Sequence, residues 1–324
     1  MKEEDIRPQA IFNEYLKLAS EDAVTYFSRA KLVLSACPAC GGCGEDAFEK
    51  AGFNYQLCNS CQTLFVNPRP VASAFNDYYI NSPSSKYWGS SFYYSTAEAR
   101  REKIWKPKAL QIKKIIDERM HEEVTLIDIG GGYGIFSEEI SRIIPKNPVV
   151  IEPNPDLALA CRRKGLQVIE NFLEDISIKD LPCGKRFFVS FELFEHLHDP
   201  ALFLKQLYLL MSPGDLFVFT TLSGLGLDIQ VLWSDSKSVM PPHHLNFLNP
   251  ISIRLLLESL KYEVLEITTP GKLDVDIMKN SLNLIKDNFW RGLLKTATDH
   301  ELAGWQNWIA VSGRSSHMMV VCRK

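Results

Sequence analysis

Val124-Thr125-Leu126-Ile127-Asp128-Ile129-Gly130-Gly131-Gly132-Tyr133-Gly134 decides how this chain is read. Its first six residues are mostly apolar and β-branched, which predicts a strand buried on both faces in the middle of a parallel sheet. The glycines that follow let the backbone turn sharply and approach a ligand closely. Residues 135–144, IFSEEISRII, then resume at helical spacing. Strand, glycine turn and helix together predict a nucleotide-binding βα unit.

Asp128 narrows the ligand. A carboxylate at the strand end is expected to face what is bound, where it repels a pyrophosphate and suits a cation such as the amino group and sulfonium of S-adenosylmethionine. Gly130 and Gly132 lack the third glycine of the dinucleotide pattern, because position 135 is Ile, but Gly132-x-Gly134-x-x-Ser137 leaves NAD open on the glycines alone. A second short strand, residues 148–151, ends at Glu152, about where an acidic residue hydrogen-bonds ribose hydroxyls in such folds.

These residues resemble the class I S-adenosylmethionine-dependent methyltransferases. Asp128, Gly130, Gly132 and Gly134 meet that family's Asp-x-Gly-x-Gly-x-Gly pattern, and Glu152-Pro153-Asn154 matches its acidic second motif. Residues 191–200, FELFEHLHDP, resemble its fourth-strand segment, and residues 211–215, MSPGD, its turn before strand five. The resemblance implies an α/β fold, a Rossmann-like seven-stranded mostly parallel sheet with helices on both faces and an antiparallel last strand. It also implies cofactor-binding roles for Asp128, Gly130, Gly132, Gly134, Glu152 and Phe191. In the loop after the third strand it implies that Glu174 or Asp175 accepts from the adenine amine, with two plain surface carboxylates as the alternative.

Length and composition fit one such domain plus a smaller module: 324 residues, 46% of them hydrophobic. A net charge of -3 gives no general attraction to nucleic acid or anionic membranes. The amino terminus is charged, and no run is long enough to span a bilayer, so a cytoplasmic protein is expected.

Five of the eight cysteines crowd between positions 37 and 61. Cys37-x-x-Cys40, seventeen residues, then Cys58-x-x-Cys61 is the two-knuckle spacing of a zinc ribbon, in which four thiolates close a tetrahedron around a structural Zn2+. Cys43 offers a competing pair with Cys40. Between Lys31 and Ala72 three basic residues balance three acidic ones, so the ribbon offers no phosphate-binding surface. Its expected work is to fold a segment too small for its own core and dock it on the main domain.

The expected organisation is an N-terminal helical segment over 1–30, the ribbon over 31–72, an aromatic-rich linker over 73–104, and the methyltransferase domain over 105–324. Insertions in that domain are expected at about 222–248, with little secondary structure, and about 272–312, helical from 276. The ribbon ending in Asn67-Pro68-Arg69-Pro70 and the tyrosines after it resemble the zinc-ribbon branch of these enzymes, many of which act on sugars, polysaccharides or small metabolites. Glu195 and His196 match the family's Glu-His pair at the carboxyl end of strand four, where open α/β sheets bind ligands. His198 is expected to be an exposed loop residue. His243 and His244 lie where related enzymes shape the acceptor pocket, and a histidine can take a proton from an alcohol or amine near neutral pH. Glu195, His196, His243 and His244 are therefore the catalytic candidates for methyl transfer to a small-molecule or sugar acceptor; a metal cluster of the Glu and His side chains of Glu192–His198 is the alternative for that segment. An RNA methyltransferase and a non-catalytic scaffold are the rival functions, and a homodimer is allowed for.

Overall fold

The computed structural model describes residues 1–324. Its main sheet contains β1 (Val124–Ile129), β2 (Val149–Ile151), β3 (Gln167–Ile169), β4 (Lys185–Phe191), β5 (Leu216–Leu222), β6 (Glu263–Thr268) and β7 (His317–Arg323). They lie in the order β6-β7-β5-β4-β1-β2-β3. Neighbours from β5 to β3 run parallel, and β7 runs antiparallel to both β5 and β6. This is the expected Rossmann-like sheet with its antiparallel last strand.

Why the central strands are mostly apolar on both faces is visible in their packing. Ile127, Ile129, Phe188, Phe217 and Phe219 pack into one core, while Leu126, Phe187, Val189, Leu216 and Val218 pack into another on the opposite face. The alternation is the strand period of two, with both faces covered by helices. Helix starts follow their caps: the Asp199 carboxylate accepts from Leu202 N–H, and Asn249 Oδ1 accepts from the N–H groups of Ile251 and Ser252. Pro200 and Pro250 occupy the first turns of those helices, where no backbone donor is needed.

Two expectations need correction. Residues 73–104 are no linker: helices Ala74–Asn81, Pro83–Tyr87 and Tyr93–Arg100 run with short π turns into helix Lys106–Arg119. Their aromatic residues supply packing rather than a regular stripe. Phe92 and Trp88 close on Phe12 and Tyr15 of helix Gln9–Phe27, and Phe75 and Tyr78 close on Phe27 and the ribbon. Second, residues 222–248 contain a short helix, Leu227–Leu232, and a two-residue strand, Asn246–Phe247. That strand pairs with Leu64–Val66 and so completes a four-stranded antiparallel sheet with the ribbon strands Gly44–Lys50 and Phe53–Cys58. Two residues carry no periodicity to read.

The second insertion is helical as expected, in helices Asp274–Asn280, Asn288–Thr296 and Asp299–Val311. Leu232 of the first insertion packs with Ile277, Met278 and Leu294 of the second, so the two form one wall. No helix is long and apolar enough to cross a membrane.

Candidate active site

The glycine turn after β1 holds its shape through left-handed backbone. Gly132 and Gly134 have φ of 56° and 68°. A Cβ on Gly132 would point into open space, whereas one on Gly134 would stand 2.8 Å from both Cys161 Sγ and Leu166 Cδ1. Gly132 therefore leaves room for a ligand, and Gly134 lets the helix Ile135–Ser141 seat against the sheet. Glu152, at the end of β2, braces the turn: its Oε2 accepts from Gly132 N–H at 2.9 Å and its Oε1 from Asn154 N–H at 3.0 Å.

Asp128 does not stand open at the strand end. Its side chain is 2% exposed and lies beneath the turn, where Oδ2 accepts from the Ser137 hydroxyl at 2.7 Å. Burial pushes its carboxyl up to about 7; the Ser137 bond opposes the shift and the Glu152 charge adds to it. Glu174 and Asp175 are exposed, beside an exposed Phe172. Phe191 closes β4, with Lys108 Nζ 4.5 Å from its ring centre.

Past β4 the chain turns at Glu192, whose φ of 53° is unusual for a residue with a side chain. Thr220 donates to Glu192 Oε1 at 2.7 Å, with Lys108 Nζ 4.0 Å and His317 Nδ1 3.3 Å away. Burial opposes its ionisation, but His317, Lys108 and the Thr220 bond hold it down to about 2. Leu193 then packs over Gly130, where an added Cβ would lie 3.1 Å from Leu193 Cδ2, so the Glu-His segment adjoins the glycine turn. Glu195 is buried, accepts from the Thr221 hydroxyl at 2.8 Å, and is pushed up to about 8 by burial and the Glu192 charge.

His243 and His244 meet this segment from the other side. His196 and His244 have ring centres 4.8 Å apart, and His243 stands 6.1 Å from His196. Burial lowers His196 to about 4 and His243 to about 3, and holds His244 well below its ordinary value, so all three are neutral near pH 7. His243 Nε2 is bonded to the Tyr78 hydroxyl at 2.5 Å, and its ring lies against Tyr15. His198 differs from expectation: it is half-buried, and its ring bonds the Pro70 carbonyl at 2.9 Å, docking the ribbon.

The ribbon is stitched directly to these histidines. Tyr55 donates to the His244 carbonyl at 2.7 Å, Val66 N–H to the Leu245 carbonyl, and Asn249 Nδ2 to the Cys61 carbonyl. Arg69, buried, donates to the carbonyls of Val66 and His198 and to Asn246 Oδ1. Four cysteines, Cys37, Cys40, Cys58 and Cys61, bring their Sγ atoms within 4.8 Å of one another, with 3.5 Å for both the Cys37–Cys61 and Cys40–Cys58 pairs. Thiolates about 2.3 Å from one tetrahedral zinc stand about 3.8 Å apart, so this donor set fits the ion. Cys43 is exposed and outside the cluster.

Sequence reasoning did not single out Lys108, Thr221, His317 or Tyr15 as parts of the site. They reach it from separate elements, and nothing in their local spacing marks them. The aromatic helices form the roof: Tyr93 stacks on Tyr133 of the glycine turn at 3.6 Å, and the Tyr133 hydroxyl donates to the Gly89 carbonyl. The roof is clamped by Arg101, which pairs with Glu138 and Glu139 of the helix after the turn.

A family model described as a methyltransferase domain matches residues 97–267, just over half of the chain. No curated protein matches the sequence. Among solved structures the chain is similar to a SAM-dependent methyltransferase from Thermotoga maritima, with 13% identity, a TM-score of 0.46, and 73% of this chain and 97% of that one covered. One from Archaeoglobus fulgidus shows 17% identity and a TM-score of 0.44 over 72% of this chain and all of that one. The plantazolicin methyltransferase BpumL in complex with SAH shows 15% identity and a TM-score of 0.47 over 76% and 93%.

Proposed function

The chain belongs to the methyltransferase-domain family and is an S-adenosylmethionine-dependent methyltransferase; from that premise we propose that its acceptor is a small molecule or sugar bound among Glu195, His196, His243 and His244. The observation that carries the reading is the meeting of those four side chains beside the glycine turn, under a roof of Tyr15, Tyr78, Trp88 and Tyr93. Aromatic faces of this kind suit the apolar faces of sugar rings, and neutral imidazoles suit hydroxyl groups.

Bound at the glycine turn, S-adenosylmethionine supplies a methyl group on a sulfonium, which leaves without further activation. The open space over Gly132 and the two free lone pairs on the Glu152 carboxylate fit its methionine and ribose parts. Asp128 contributes from beneath, setting the turn through Ser137 and adding negative potential under the cationic end. Glu174 and Asp175 stand at the adenine edge of this reading. His196 and His244 orient the acceptor hydroxyl, and Tyr78 fixes the His243 ring. Holding the acceptor oxygen in line with the methyl carbon is the main catalytic contribution asked of these residues.

Cys37, Cys40, Cys58 and Cys61 would hold a zinc ion whose work is structural, since four protein thiolates leave no position for substrate. Through Tyr55 and Arg69 that ion would also set the position of His244.

Two titrations and one screen test the reading. S-adenosylhomocysteine should bind the wild type calorimetrically, and Glu152→Gln should weaken it by at least about tenfold, because a ribose-facing carboxylate makes charge-assisted hydrogen bonds. Methyl transfer should then appear with sugar or small hydroxyl acceptors and not with RNA. A folded wild type that ignores the cofactor product refutes the cofactor site; transfer to RNA alone refutes the acceptor class.

A further inference from the structure

Glu195, His196 and His244 come from two separate segments, yet each brings one ligating atom within 4.8 Å of the other two. The surroundings of Glu195 and His244 leave their ligating atoms available. Glu195, 2% exposed, is bonded through Oε2 to Thr221, and no other side chain donates to it. The His244 ring is bonded through Nδ1 to the Ser238 carbonyl at 2.6 Å. A carbonyl can only accept, so Nδ1 carries the proton and the lone pair of the neutral ring is on Nε2. Bonds of this kind, from the second nitrogen to a carbonyl, fix the tautomer of metal-ligating histidines.

The set differs in kind from the four cysteines. Two imidazoles and one carboxylate are borderline donors that suit Zn2+, Mn2+ or Fe2+ better than Mg2+ or Ca2+. Three protein ligands also leave coordination positions open, as catalytic sites do. No cationic side chain is bonded to Glu195: Lys108 is engaged by Thr220 and Glu192, and Arg69 by carbonyls and Asn246. The cluster is a buried carboxyl and two imidazoles facing one another, with no cationic side chain bonded to the carboxyl.

We propose that Glu195, His196 and His244 bind one divalent transition-metal ion, and that this ion takes a hydroxyl oxygen of the methyl acceptor as a further ligand. The second half rests on the transferase reading above. Coordination lowers the pKa of the hydroxyl, whose proton passes to solvent water. The oxygen then forms its bond to the methyl carbon while the carbon–sulfur bond breaks, and the electron pair of that bond stays on sulfur. The products are the methyl ether and neutral S-adenosylhomocysteine. Held this way, an acceptor with a second hydroxyl beside the first can chelate the ion, which favours vicinal diols over isolated alcohols.

Mn2+ tests the site separately from the cysteines, because it prefers oxygen and nitrogen donors to thiolates. The full chain, with its cysteine site filled by zinc and loosely held metal stripped, is titrated with Mn2+ and read by electron paramagnetic resonance and metal analysis. One Mn2+ per chain is expected beyond the zinc. Glu195→Gln and His244→Ala should each weaken it at least about tenfold while keeping the zinc and S-adenosylhomocysteine binding, which reports that they fold. A wild type that takes up no second ion, whether offered Mn2+, Zn2+ or Co2+, overturns the proposal, as do variants that keep it. Methyl transfer undiminished in enzyme lacking the second ion removes the ion from the reaction and leaves the transferase reading standing. Second-ion binding by a protein that ignores S-adenosylhomocysteine does the reverse.

Discussion

Replacing Asp128 with Asn should make folding stability less sensitive to pH. In the folded chain the carboxyl binds its proton with a pKa of about 7, against an ordinary value of 3.8, chiefly because it is buried beneath the glycine turn. Between those values the folded state holds more protons than the unfolded one, so stability falls as pH rises. The contribution is fully present below 3.8 and gone above about 7. Three pH units at about 1.4 kcal/mol each come to roughly 4 kcal/mol. Asparagine does not titrate, and its Oδ1 can still accept from Ser137. Urea unfolding of both proteins at pH 4 and pH 8 isolates this group, since every other titration is shared. The stability gap should move by on the order of 4 kcal/mol in favour of the variant at the higher pH. Parallel pH profiles for the two proteins, within about 0.5 kcal/mol, would refute the placement of a raised carboxyl at Asp128.

Three further outcomes follow from the same geometry. Gly134→Ala puts a side chain at φ 68° and 2.8 Å from Cys161 and Leu166, and should cost more than about 2 kcal/mol in thermal or urea melts; a neutral variant would contradict the tight seating of the helix. Tyr55→Phe removes the donor to the His244 carbonyl and should cost about 1–2 kcal/mol and slow methyl transfer, with S-adenosylhomocysteine affinity unchanged. Stripping the metal of the cysteine cluster with a strong chelator should abolish transfer and raise amide exchange over residues 243–247 while cofactor binding persists; unchanged exchange there would mean the ribbon does not hold the histidines.

The main sheet was legible because its central strands are mostly apolar and its helices are capped by residues that advertise themselves, Asp199-Pro200 and Asn249-Pro250. The cysteine pairs were legible for a similar reason: a grip on one ion needs a fixed local spacing. What the sequence hid is everything assembled across distance. Asp128 reads as a ligand-facing carboxylate, but the tight turn puts it under the glycines with Ser137. His198 reads as a solvent residue, yet the ribbon covers it through Pro70. The aromatic residues of 73–104 do not form one continuous stripe because they pack in two directions, toward the N-terminal helix and toward the ribbon. Glu192 reaches Lys108 and His317 across three elements, and no spacing encodes that meeting.

The ribbon sheet that takes its last strand from Asn246–Phe247 also orders events in time. Tyr55 waits for a partner 189 residues further along the chain. During synthesis the first strands of that sheet leave the ribosome with an unpaired edge, and at about 5–20 residues per second the missing strand arrives on the order of ten seconds or more later. Until then the edge at Leu64–Val66 is open to the wrong partner, so early chains should be most prone to aggregate in that interval. The segment that carries His243 and His244 and the ribbon are thus finished together, late, in a single closure.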